Sequence, residues 1–257
     1  MTPSSRSSPG PELSDKSSQP EPEATIELTA ETELTAEAQP KAVSEPFKSK
    51  AEKVALVTKH RRALADVLES LDEAEWNHPS LCDGWDIRHV VGHLLTPALS
   101  PSRRTAVTVA KSGSYTKAFD RLAREFGEQS PAELLKALRE HADNVWVSPI
   151  MGAAAPLTDI LVHSQDIVRP LGIELTVDPL EVDPALTFVV GNKSNQLFVK
   201  PKRYAGLRLI ATDLKWKVGK GAELEGPAIE LLLAVMGRGV ALKHLSGPGF
   251  DLLSERI

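Results

Sequence analysis

"PLTDILVHSQDIVRPLG", residues 156–172, is apolar almost all the way round a helix and polar along one line, which restricts the fold more than any other stretch. At about 100° per residue, with Asp159 as origin, His163 falls at about 40° and Asp166 at about 340°. Ile160, Leu161, Val162, Ile167 and Val168 fill most of the remaining arc. A helix of this kind is buried among other elements, so its polar line points into the protein rather than into water. Buried carboxylates and imidazoles need partners. A divalent metal is one way to supply them, and a hydrogen-bonded Asp159/His163 pair at i, i+4 is another.

A buried helix needs companions with apolar stripes. In "KAEKVALVTKHRRALADVLESL" the residues Val54, Val57, Leu64, Val67, Leu68 and Leu71 recur at helical spacing. A second helix follows Trp85, with Asp86 as N-cap, and Pro97 and Pro101 are expected to end it. "RTAVTVAKSGSYTKAFDRLAREFG" is helical with a break at 112–114. "SPAELLKALREHADNVW" opens with Ser130, Pro131 and Glu133, the cap, first-turn proline and acidic residue of a helix start. Short connections between such helices favour an antiparallel bundle.

Beyond Gly172 the pattern changes. "DPALTFVVGNKSNQLF" predicts one more helix. "GLRLIATDLKWKVGKGAELEG" alternates with period two and predicts strands joined by a hairpin at 219–221. "PAIELLLAVMGRG" predicts a helix with a leading proline, and "GFDLLSERI" a last strand. The expected fold is α+β but mainly α: a helical bundle over 47–175 followed by a small α+β domain over 176–257. Residues 1–46 are rich in Ser, Pro, Glu and Thr, and read as a disordered acidic tail that cannot bury enough surface to fold.

That tail dominates the chain's charge. It carries nine acidic and three basic side chains, so of the net −5 it accounts for −6 and leaves the rest near neutral. Neither nucleic acid nor an anionic membrane is indicated as a partner. No apolar run approaches the roughly 18 residues of a membrane helix, and the N-terminus lacks the apolar core of a secretory signal, which points to the cytoplasm. The single cysteine, Cys82, cannot form an internal disulfide. Phosphate loops, serine-hydrolase elbows and paired-cysteine zinc knuckles are all missing from the sequence.

"LCDGWDIRHVVGHLL" holds two histidines four residues apart. Ile87, Val90, Val91 and Leu94 define the apolar face. His93 lies about 110° from its centre, at the edge of the buried side, and His89 about 150° away, toward solvent. His93 is therefore the better candidate for a site, against the alternative of a hydrogen-bonded boundary histidine. Taken alone, Trp85 reads as a core anchor and Cys82 as a small buried residue.

"LCDGWDIRHVVGHLL" resembles the Gly-Trp…His-Leu helix of the DinB-like, mycothiol-dependent maleylpyruvate isomerase family, and "LTDILVHSQDIVRPLG" resembles its acidic-x-x-x-His-x-x-Asp helix. "IATDLKWKVGKGAELEGPAIELLLAVMGRG" is similar to that family's second domain. The resemblance covers 47–257. It implies an antiparallel DinB-like four-helix bundle holding a divalent metal, usually zinc, on His93, Asp159 and His163, with His89 released. Glutamate is frequent in the family where Asp159 stands, and the acidic tail lies outside its pattern. The activity implied is a thiol-dependent one in which mycothiol is used to isomerise or conjugate a small electrophilic substrate. Asp166 and Trp85 then belong to the cofactor side of the site, with Asp166 orienting a ligand or the Trp85 corner. Arg238 becomes a catalytic candidate, its fork suited to a carboxylate on substrate or thiol, unless it is a surface charge at a helix end. Two alternatives use the same scaffold: a non-catalytic ligand-binding or regulatory protein, and a metal-dependent hydrolase.

Overall fold

The computed structural model describes residues 49–100, 102–191 and 199–257. The expected acidic tail lies outside them. None of the described helices is long and apolar enough to cross a membrane.

Helix α1 (Lys50–Glu69) starts at a capping box between Ser49 and Glu52 and buries Val57, Arg61, Leu64 and Leu68 on one stripe. The short α2 (Glu73–Trp76) leads to α3 (Ile87–Leu99), whose N-cap is Asp86 as expected. The helix does not stop at Pro97 but runs through it to Leu99. A proline in the last turn forfeits one ladder bond, here the one to the His93 carbonyl, so termination is not forced. Helices α4 (Ser102–Ser112) and α5 (Tyr115–Gly127) are separated at the predicted break, with Ser114 capping α5. Ser130 and Glu133 form the capping box of α6 (Pro131–Glu140).

Helix α7 (Ala154–Val168) is the buried, nearly all-apolar helix, and it packs against α1, α3 and α8 (Pro179–Val189). The last of these begins four residues before the predicted stretch, capped by Asp178. The end of that stretch, 192–198, lies outside the described residues. Helix α3 presses closely on α5: a Cβ on Gly92 would lie 2.4 Å from the Ala123 carbonyl oxygen. No larger residue fits there without movement.

The C-terminal part holds a three-stranded sheet of β1 (Leu207–Ala211), β2 (Lys217–Gly219) and β3 (Ala222–Gly226) in the order β2-β1-β3. The expected hairpin at 219–221 is not formed. The antiparallel pair is β1 with β2, whereas β3 pairs parallel to β1 on its other side. Between β2 and β3 the chain passes the start of β1. There Gly219 (φ +94°) and Gly221 (φ +125°) leave no space for a side chain, their Cβ positions falling 2.3 Å from the Leu207 oxygen and 2.0 Å from the Gly206 oxygen.

Helix α9 (Ala228–Val235) follows Pro227 as predicted. "GFDLLSERI" forms α10 (Phe250–Ser254) instead of a strand. Its buried Leu253 lies one helical turn from Phe250, and an alternation of two residues was too short to specify a strand. The chain is thus α+β and mainly helical, a bundle followed by a small sheet with its helices. Ion pairs join the two parts: Arg169 grips Glu230 of α9 with both Nη atoms at 2.9 and 2.7 Å, and Glu181 of α8 meets His60 and Lys59 of α1 at 3.0 and 2.5 Å.

Candidate metal centre

Asp159, His163 and Asp166 stand at i, i+4 and i+7 on α7, the side chains of Asp159 and His163 near the surface and that of Asp166 fully enclosed. From α3, His93 faces them. Its Nε2 lies 3.2 Å from Asp159 Oδ1, and the Nε2 of His163 lies 3.5 Å from the same oxygen. The two imidazole rings are 4.8 Å apart at 70°. The three donor atoms fall within 4.8 Å of one another. Burial by itself would raise the Asp159 carboxyl, but His93, His163 and Arg61 outweigh it and hold the group down at about 2. The carboxylate is therefore ionised at neutral pH.

Behind His163, its Nδ1 donates to Asp166 Oδ2 at 2.9 Å. That bond leaves the Nε2 lone pair facing Asp159, the usual arrangement behind a metal-binding imidazole. Burial would raise the Asp166 carboxyl, yet His163 and Arg238 together keep it well below the usual range. Arg238 donates to Asp166 from Nε at 3.0 Å and from Nη2 at 2.6 Å, and its Nη1 donates to the Met236 carbonyl at 3.0 Å. The Arg238 fork does meet a carboxylate, as the sequence suggests. The carboxylate is Asp166, however, so the guanidinium is engaged within the protein. It is also neither a surface charge nor free, with only 16% of its side chain exposed.

Sequence reasoning takes Cys82 for no more than a small buried residue. Its thiol donates to Asp166 Oδ2 at 3.1 Å and its sulfur lies 3.6 Å from His163 Nδ1. Cys82, His163 and Asp166 make a second group of potential ligands. Arg238 disfavours a cation there, because it occupies both oxygens of Asp166 and brings Nη2 within 3.6 Å of the sulfur. Burial, with Asp166 adding to it, pushes the thiol up to about 12. The first group, with two imidazole nitrogens and one ionised carboxylate, fits a divalent metal of the zinc type.

Trp85 is half-buried, its ring 5.3 Å from that of His93, and its indole nitrogen donates to Asp120 Oδ1 of α5 at 2.8 Å. Phe119 also packs against His93, the two rings in an edge arrangement with centroids 6.0 Å apart. The Nδ1 of His93 is buried without a hydrogen-bond partner among the described residues, so the ring is oriented by its Nε2 contact with Asp159 and by packing on Trp85 and Phe119. His89 is not brought to the centre. It is turned not toward solvent, as its helical angle suggests, but toward α5, with 15% of its side chain exposed and Nδ1 2.5 Å from Asp86 Oδ1. The close α3/α5 packing covers a face that periodicity alone assigns to water. Arg61, beside Asp159 in charge, was also missed. It donates to the carbonyls of His141 and Asn144 at 3.2 and 3.1 Å, and its place on the Val57, Leu64, Leu68 stripe was the available signal.

Residues 57–168 match the family model described as the mycothiol maleylpyruvate isomerase N-terminal domain. No curated protein matches the chain. Two solved structures are similar: the crystal structure of the mycothiol-dependent maleylpyruvate isomerase and that of a histidine-to-alanine mutant of it. Each is 14% identical, over 78% of this chain and 93% of that one, with TM-scores of 0.53 and 0.54 respectively. At that identity the likeness is one of fold, a DinB-like helical domain with a small α+β domain. The residues that match the family model, 57–168, include the His93, Asp159 and His163 positions.

Proposed function

We propose that the chain holds a divalent cation, zinc by its donor set, on His93, Asp159 and His163. With it the chain uses a low-molecular-weight thiol, mycothiol by family, to isomerise or conjugate a small electrophile. The observation that carries this reading is the convergence of two Nε2 atoms on one carboxylate oxygen, at 3.2 and 3.5 Å, with His163 turned to face it by Asp166. A cation bound there would stabilise the thiol's sulfur as thiolate at neutral pH, the form that attacks carbon.

The protein's own residues do the rest. Asp159, ionised, supplies the negative charge of the site. Asp166 fixes the His163 tautomer, and Arg238, arriving from beyond α9, clamps Asp166. Trp85 and Phe119 both pack against the His93 ring. In this reading the site is assembled where a bundle over 47–175 meets a C-terminal domain over 176–257, and Arg238 is a positioning residue.

Metal analysis of the purified protein tests the first half: about one zinc per chain is expected, lost in His163→Ala. Thiol consumption tests the second. Mixing the zinc-loaded protein with mycothiol and reactive electrophiles should consume thiol faster than the uncatalysed reaction, and chelation should abolish the excess. Loss at the uncatalysed rate with every electrophile would remove the isomerase and transferase readings, and ester hydrolysis without thiol would put the hydrolase in their place.

A further inference from the structure

The triad is not fully enclosed. His93, Asp159 and His163 keep 16%, 25% and 14% of their side chains exposed, enough for a ligand to reach them. From that opening a ladder of rings runs outward along α5. The edge of Phe119 meets the His93 ring, and Tyr115, one turn earlier, stacks on Phe119 with centroids 4.5 Å apart and planes at 26°. Tyr115 is the outermost rung and is 45% exposed. Burial and the Asp159 carboxylate push its phenol up, so the ring stands at the border of the site and within the field of Asp159.

Three arginines near this ladder are engaged within the protein. Arg124 bonds Asp120 and the Gly84 carbonyl, Arg104 bonds Glu125, and Arg61 bonds backbone carbonyls. The exposed rung offers a flat π face. Half-open aromatic surface next to a ligand-binding opening is apolar area that a bound ring would cover.

We propose that Tyr115 and Phe119 form a stacking wall that selects ligands in which a planar, conjugated group adjoins the atoms held at His93, Asp159 and His163. This inference rests on the metal reading of the same site and goes further by naming the class of electrophile preferred: flat and conjugated rather than saturated and branched. Both residues are specificity-determining, and neither touches the donor atoms.

The test uses zinc-loaded full-length protein and two probes with the same chelating group, benzohydroxamate and acetohydroxamate, which differ by the ring. Their two Kd values are measured by calorimetry. Tyr115→Ala should reduce the preference for benzohydroxamate over acetohydroxamate by roughly three- to tenfold, the range expected for losing one aromatic contact. Zinc content should be unchanged, and Tyr115→Phe should keep the wild-type ratio. An unchanged ratio in Tyr115→Ala would overturn the wall. Failure of the zinc-loaded protein to bind either probe would overturn it together with the open metal site. A shifted ratio without any thiol turnover would uphold the wall and remove only the thiol chemistry.

Discussion

Replacing Asp166 by asparagine removes one charge and almost no volume, so its effects report on charge and hydrogen bonding rather than on packing. The carboxylate is fully buried and takes four donors: His163 Nδ1 at 2.9 Å, Cys82 Sγ at 3.1 Å and Arg238 Nη2 at 2.6 Å on Oδ2, and Arg238 Nε at 3.0 Å on Oδ1. An amide offers one acceptor oxygen, and its NH2 must face donors on the other side. The better orientation keeps the oxygen toward His163 and turns the NH2 toward Arg238 Nε. One charged hydrogen bond is then lost, and the guanidinium, 16% exposed, is left without a counter-charge. Removing one member of a buried pair destabilises by about 3 to 5 kcal/mol. His163 keeps its tautomer but loses the anionic acceptor that orients it, and loss of such a partner weakens metal binding about 10- to 100-fold. Denaturant unfolding of the metal-free chain measures the first effect, and competition with a chromophoric zinc chelator the second. If stability falls as expected while zinc affinity changes less than twofold, Asp166 serves only to attach Arg238, and its assigned role behind His163 is wrong.

Three further outcomes are expected. His93→Ala should empty the metal site while His89→Ala leaves zinc content at the wild-type level; equal loss in both, read by metal analysis, would return His89 to the ligand set. Cys82, pushed up to about 12 by burial and Asp166, stays protonated at neutral pH, so iodoacetamide at pH 8 should alkylate it about a thousandfold more slowly than an ordinary thiol. Mass spectrometry of the native protein checks this, and rapid labelling would show the thiol to be exposed or ionised. Gly92→Ala should lower the unfolding free energy by about 1 to 3 kcal/mol, because its Cβ would meet the Ala123 carbonyl oxygen at 2.4 Å and the Gly127 nitrogen at 2.7 Å; an unchanged denaturation midpoint would mean that α3 and α5 are not so closely packed.

The polar line of α7 was legible because it depends on periodicity within one helix, and Asp159, His163 and Asp166 keep their places on it. His93 was legible for the same reason. What periodicity cannot supply is the neighbour across a gap. It left His89 in water, where α5 covers it, and it passed over Arg61 because charge was read as exposure although the residue sits on the apolar stripe of α1. The pairing of Arg238 with Asp166 spans 72 residues, and nothing local to either announces it. The sheet failed similarly. Gly219 and Gly221 look like a hairpin turn, but they serve a passage past β1 into a parallel strand, a choice made by pairing and not by turn chemistry.

The separation of 72 residues between Asp166 and Arg238 also has a meaning in time. At the usual pace of the ribosome, 5 to 20 residues per second, the arginine emerges about 4 to 14 s after its carboxylate. During that interval the nascent bundle already has His93, Asp159 and His163 but must enclose Asp166 with its main cation still to be synthesised. Until Arg238 is made, Asp166 lacks both of its guanidinium hydrogen bonds, so the final enclosure of that carboxylate waits on synthesis of the C-terminal sheet and α9.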